Sequence, residues 1–179
     1  MFVQNKRNNI GEGYPRSGMN GEMTFRPMRR FKQQLPEGAC VAILKDASRG
    51  FLSVVGEGGY PYTIPINFVY EDGHLYFHCA QQGHKMDAIQ KCDKACFTVI
   101  GEPEQEPNDW WYHVKSVICR GRISVIEEDA ERMSKLKLLG SKYFPDRYDM
   151  AEDIRKNGPR AAILDLRIEH MSGKQVREK

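Results

Sequence analysis

From residue 60 to residue 70 apolar and polar positions alternate without interruption. Tyr62, Ile64, Ile66, Phe68 and Tyr70 share one face, and Pro61, Thr63, Pro65 and Asn67 the other. A period of two marks a half-buried strand. Asp72-Gly73, just beyond it, supplies the two positive-φ positions of a tight hairpin turn, and residues 74–79 form the return strand. Such a hairpin commits its surroundings to antiparallel β structure. The prolines at 61 and 65 cannot donate ladder bonds, so the first strand is predicted at a sharp barrel bend or at an edge beside a ligand.

The rest of the chain supplies partners for this hairpin. A short helix is predicted after Pro36, carrying Val41, Ile43 and Leu44, and a strand over 51–55 that ends at Gly56-Glu57-Gly58-Gly59. Met86 and Ile89 suggest a short helix over 85–91, followed by a strand over 94–100. A long β stretch over 110–126 is predicted to bend at Gly121. The next helix carries Ala130, Met133, Leu136 and Leu139 and is expected to stop at Gly140. A second short helical piece leads to Gly158-Pro159, and a last strand is predicted over 160–169. About six strands in hairpin order, with short helices between them, predict a mainly β fold: an antiparallel, Greek-key-like barrel with helices at its ends.

At 179 residues the chain suits a single domain. The predicted division is an extended basic arm over 1–27 and a barrel domain over 28–179. Residues 1–32 hold seven basic side chains against Glu12 and Glu22, a balance of +5 that leaves −2 for the remainder. Charges spread through a Gly- and Asn-rich stretch form no dense patch, so nucleic acid is not the expected partner. No apolar run approaches the length of a membrane span, and five scattered cysteines without a CxxC pair suit reduced thiols, so the expected compartment is the cytoplasm.

The chemistry concentrates just after the hairpin. A strand that turns through Gly83 into a helix exposes backbone N–H groups at the helix's positive end, where His84 and Lys85 add two cationic donors. These groups suit a phosphate monoester. Thr63, Pro65 and Asn67 lie on one face of a strand read as pairing with that of His78, and the backbone groups its prolines leave unpaired are expected to read the edge of a flat heteroaromatic ring. Planar at one end and dianionic at the other describes flavin mononucleotide, FMN.

Several motifs carry a resemblance: Gly-Tyr-Pro-Tyr-x-x-Pro (59–65), Tyr-Phe-His-Cys-Ala (76–80), Gly-His-Lys (83–85), Ser-Val-Ile-x-x-Gly (116–121) and Ile-Glu-His-x-Ser-Gly-Lys (168–174). Over roughly residues 28–175 the chain resembles the FMN-binding split-barrel superfamily related to pyridoxamine 5′-phosphate oxidase, within it the 5-nitroimidazole-reductase-like branch. The resemblance implies a homodimer with FMN at the subunit interface. It implies the backbone of Thr63, Ile64, Pro65, Ile66 and Asn67 on the isoalloxazine, His84 and Lys85 on the phosphate, His78 and Cys79 beside the ribityl chain or ring, and Ser116 from a neighbouring strand. It also implies a catalytic role for His78 and electron transfer from a reductant such as NAD(P)H to a small-molecule substrate. The arginine-rich ending with which pyridoxamine phosphate oxidases hold their substrate is missing, which puts vitamin B6 chemistry in doubt.

Two alternatives remain beside an FMN oxidoreductase: a haem-binding or haem-degrading split barrel, and a non-enzymatic flavin sensor. Metal binding is not expected, because His78, Cys79 and His84 lack compact ligand spacing and an alternating strand puts the first two on opposite faces.

Overall fold

The computed structural model describes residues 25–108 and 110–177; most of the expected N-terminal arm lies outside these. The elements run β1 (Gln34–Leu35), α1 (Glu37–Asp46), β2 (Arg49–Val55), β3 (Pro61–Asn67), β4 (Val69–Glu71), β5 (His74–Ala80), α2 (His84–Lys91), β6 (Lys94–Ile100), β7 (Glu104–Gln105), β8 (Tyr112–Val125), α3 (Asp129–Tyr143), α4 (Met150–Asn157) and β9 (Ala161–Arg177). All strand pairs are antiparallel, in the order β3-β2-β6-β8-β9-β5-β4, with β1 on β9 and β7 on β8.

This order dictates the shape. β3 and β4 are the two ends of the sheet path, yet only Phe68 separates them in the chain. The Cα atoms of Asn67 and Val69, two steps along the chain, reach at most about 7 Å apart, whereas a flat sheet in this order would set β3 and β4 six strand spacings, about 29 Å, apart. The sheet must therefore curl until its ends meet, which makes a barrel with its seam at Phe68. That ring is fully buried and packs edge-on against Phe97, centroids 4.6 Å apart.

Inward-facing residues fill the barrel: Leu52, Leu75, Phe77, Val99, Val117, Leu164 and Leu166 are all completely buried. Full burial of each such side chain stabilises by roughly 1.5–3 kcal/mol. α1 adds Cys40 and Leu44 to this core and touches β4, β6, β8 and β9, so it caps one mouth. α2 adds Met86, Ala88 and Ile89. A second, smaller core lies outside the barrel wall, where Leu136, Leu138, Leu139 and Tyr143 of α3 pack on Val69, Tyr76 and Ile163.

The hairpin turn forms as expected, with φ of 45° at Asp72 and 85° at Gly73. Its first strand differs from expectation. The alternating stretch is two strands, and only β4 pairs with β5, through Val69↔Tyr76, Tyr70↔Leu75 and Glu71↔His74. Thr63, Pro65 and Asn67 lie opposite Ser53, Phe51 and Arg49 of β2 and are not paired to the strand of His78. A period of two specifies which face is buried but not which neighbour pairs.

The bend at Gly121 is a β-bulge: Arg120 faces His170, but Gly121 faces Ile168. A Cβ at Gly121 would lie 1.9 Å from the Arg167 carbonyl oxygen, so only glycine permits that approach. α3 does not stop at Gly140. This glycine admits Met150 of α4, whose Sδ would be 2.6 Å from a Cβ there, and the helix runs on to Tyr143. β9 likewise continues past Glu169 to Arg177 on ladder bonds to β8, where its side-chain alternation has faded.

Candidate functional site

β5 alternates sharply. Leu75, Phe77 and Cys79 point into the barrel, while Tyr76 and His78 point out toward α3 and α4. After Ala80 the chain turns at Gly83, whose φ of 120° favours glycine, and starts α2 at His84. The Gly83 carbonyl accepts from the amides of Met86 and Asp87, so the amides of His84 and Lys85 are the unpaired first donors of the helix. A Cβ on Gly83 would meet nothing within 4 Å; the space before the helix start is open. The His84 ring stacks on Tyr62 of β3, centroids 4.2 Å apart and planes 28° apart. The first two amides of the helix and the His84 imidazole therefore meet beside β3, and the Lys85 ammonium lies near Cys79 at the same helix start, a donor set that fits a phosphate monoester.

Among the described residues β3 has a free edge, since β2 is its one partner in the sheet. Pro61 and Pro65 have no N–H to give to β2 and belong at positions that face the free side. Thr63 and Asn67 share their parity, so their backbone groups face the same way. The Ser53 and Thr63 hydroxyls sit 2.8 Å apart on the outer face, which suits the closer side chains of a non-hydrogen-bonded pair. Ile64 and Ile66, of the opposite parity, turn their side chains toward the core and their backbone groups toward β2, so the expected contact of their backbone with a ring at the free edge is not formed.

The remaining expected site residues lie elsewhere on the barrel. Cys79 is buried, its Sγ 3.8 Å from Met86 Sδ, and burial pushes its thiol up while nearby Lys85 partly offsets this. Its side chain thus faces away from that of His78. Ser116, paired with Ile100 and Lys174, is three strands from β3, roughly 14 Å across the sheet. Within one chain, Ser116 does not join the others.

His78 opens onto a cavity of about 310 Å³ between the barrel wall and the α3–α4 pair. Leu136, Leu139, Tyr143, Phe144 and Ile154 supply apolar walls, and Asn67 reaches the same space across the seam. Sequence reasoning paired Asn67 and His78 through a hairpin ladder. The structure brings them together instead by closing the barrel. Tyr148, Asp153 and Asn157 also line this cavity and were not anticipated. Their sole signal was the polar spacing of a short helix, which reads equally as a solvated face. Among the described residues, the His78 ring has no hydrogen-bond partner, and no cluster of His, Cys, Asp or Glu could hold a metal ion.

A sequence model of the pyridoxamine 5′-phosphate oxidase family matches residues 36–175. The chain belongs to the pyridoxamine 5′-phosphate oxidase family. None of the curated proteins compared with it matches. Among solved structures, a candidate 5-nitroimidazole antibiotic resistance protein from Bacteroides thetaiotaomicron is 23% identical. The match covers 79% of this chain and 86% of that one, with a TM-score of 0.68. An FAD-binding protein from Mesorhizobium loti is 21% identical, covering 80% and 97%, with a TM-score of 0.60. An FAD and haem binding protein from Mycobacterium smegmatis is 20% identical, covering 82% and 74%, with a TM-score of 0.66. At these identities the likeness shows the fold, the split barrel. As a member of the pyridoxamine 5′-phosphate oxidase family, this chain holds its basic turn at α2 and its His78 cavity under α3 and α4. No helix among its described residues is long and apolar enough to cross a membrane.

Proposed function

We propose that the protein binds FMN and acts as an oxidoreductase, passing electrons from a reductant such as NAD(P)H to a small acceptor, nitroimidazole-type nitro groups among them. The observation that carries this reading is the α2 turn: Gly83 at φ 120°, the first amides of the helix beyond it, His84 stacked on β3 and Lys85 at the same helix start. Family membership and relatives described as FAD-binding support a flavin.

FMN bound there would supply two-electron redox chemistry between the reductant and the acceptor. The chain's own residues bind and orient. Lys85, His84 and their amides hold the phosphate. The free edge of β3 at Thr63 and Asn67 offers backbone donors and acceptors to the polar rim of the ring. His78 holds a proton at a ring nitrogen for the acceptor. A homodimer completes the site by bringing in Ser116 from the second copy, and the open outer face of the sheet around Phe51 and Ile100 is the surface it covers.

Haem is the second reading, favoured by the unpartnered His78 ring and by the M. smegmatis relative. A cavity of about 310 Å³ is at the small end for ligands and suits a ring or two better than a porphyrin. The visible spectrum of the purified protein separates the two, through flavin bands or a Soret band. Protein reconstituted with FMN is expected to keep about one equivalent per chain through desalting and to bind riboflavin far more weakly. Equal affinity for the two would overturn the phosphate site.

A further inference from the structure

The His78 cavity and the α2 turn differ in sign. Two cationic side chains stand at the turn, whereas among the described residues no lysine or arginine lines the cavity, and its one carboxylate is Asp153. Asp153 Oδ1 accepts from the Tyr148 hydroxyl at 3.1 Å and from Asn157 Nδ2 at 2.9 Å. Among the described residues, Oδ2 accepts from nothing. The nearest guanidinium on the adjoining helix is already engaged: Arg132 donates to the carbonyls of Gly158 and Ala161 and to Asp129. Arg49, which reaches Asn67 Oδ1 at 3.2 Å, is exposed and outside the lining. Phe144 and Tyr148, centroids 4.6 Å apart, give the space an aromatic wall.

We infer that this cavity takes a planar ring bearing N–H donors or a positive charge, and rejects anionic rings, with Asp153 as the residue that sets the preference. Asp153 is half-buried and its Oδ2 is open to an incoming donor, which an amidine, amino-heterocycle or ring N–H supplies. An anionic ring would face Asp153 without a compensating cation. Phosphate esters, including those of vitamin B6, therefore belong at the α2 turn and not in this cavity. The inference rests on the proposed oxidoreductase reading only in taking the ring to be the electron acceptor; its binding claim stands alone.

Three probes of nearly equal size test it on the full chain: 4-nitrobenzamidine, 4-nitrobenzamide and 4-nitrobenzoate, titrated calorimetrically with and without FMN. The amidine is expected to bind at least tenfold more tightly than the benzoate. Asp153→Asn, which keeps the size of the side chain, should bring that ratio to within about twofold. Leu136→Trp, which fills the cavity without touching Asp153, should abolish amidine and amide binding while FMN retention is unchanged. Wild-type protein that binds benzoate as well as amidine overturns the inference, as does amidine binding that survives Leu136→Trp. Should Asp153→Asn not fold, the wild-type ratio and the Leu136→Trp result still decide. A preference for the amidine in a protein that retains no flavin would sink the oxidoreductase reading alone. Reduction of all three nitro groups without any preference would sink the inference alone.

Discussion

The hydroxyl of Tyr143, at the last turn of α3, stands 2.8 Å from the amide nitrogen and 2.7 Å from the carbonyl oxygen of Phe68, the single residue that joins the two ends of the sheet. The phenol accepts from the amide and can donate to that carbonyl or to Ser48's. Next to it, Lys142 Nζ lies 2.7 Å from the Ala47 carbonyl and 4.3 Å from the centre of the Phe68 ring. The end of α3 therefore pins the seam from outside, and the same seam sets Asn67 opposite His78.

Tyr143→Phe should leave the ring packing intact and strand the Phe68 amide without an acceptor. The expected loss is about 1–3 kcal/mol, the cost of one unsatisfied buried donor. Urea unfolding measures it as a lower midpoint at unchanged slope. An unaltered midpoint would mean that water replaces the phenol and that the seam does not depend on it.

Lys85 and His78 should separate the two ends of the cofactor. Lys85→Ala is expected to weaken FMN binding by roughly 1.5–3 kcal/mol, the range of a charge-assisted hydrogen bond, while turnover at saturating FMN stays near wild type. His78→Ala should keep FMN and slow reoxidation of the photoreduced protein by a nitroimidazole in stopped flow. If His78→Ala loses flavin and Lys85→Ala does not, the two ends are reversed.

The outer face of the sheet leaves Phe51 and Ile100 about half exposed on neighbouring strands. Sedimentation of the full chain at micromolar concentration should give twice its 20.6 kDa mass. Phe51→Glu, which places a charge on that face, should shift the protein to a single chain. A monomeric wild type carrying FMN would show that the second copy is not needed.

The cysteines should divide by burial. Cys40, Cys79 and Cys119 are buried, whereas Cys92 and Cys96 are partly open, so a thiol reagent at pH 8 should modify Cys92 first and Cys96 after it, because burial pushes the Cys96 thiol up. Burial pushes the Cys119 thiol from 9.0 up to about 12. A raised folded value means the native state holds its proton longer than the unfolded chain. This contribution is complete below pH 9 and is lost as pH rises from 9 to 12. Unfolding midpoints should fall over that window, and less steeply in Cys119→Ala. Equal slopes for the two proteins would exclude Cys119 as the cause.

Much of the fold was legible in local chemistry. Asp72-Gly73 was readable as a hairpin turn because both positions need positive φ, and Gly83 before His84-Lys85 as the start of a helix. Gly140 misled because a glycine that ends a helix and one that admits a neighbouring helix look alike until Met150 is in place.

By itself, the sequence determined the period, the turns and the basic end of the candidate site, since these depend on residues close together along the chain. Tertiary structure alone decided which strands pair, that the sheet closes at Phe68, and that Asn67, His78 and Asp153 line one cavity. The physical reason is that strand periodicity records only whether a face is buried. The choice of neighbour comes from the joint packing of Phe68, Phe77, Phe97 and the α3–α4 pair, which no single segment encodes.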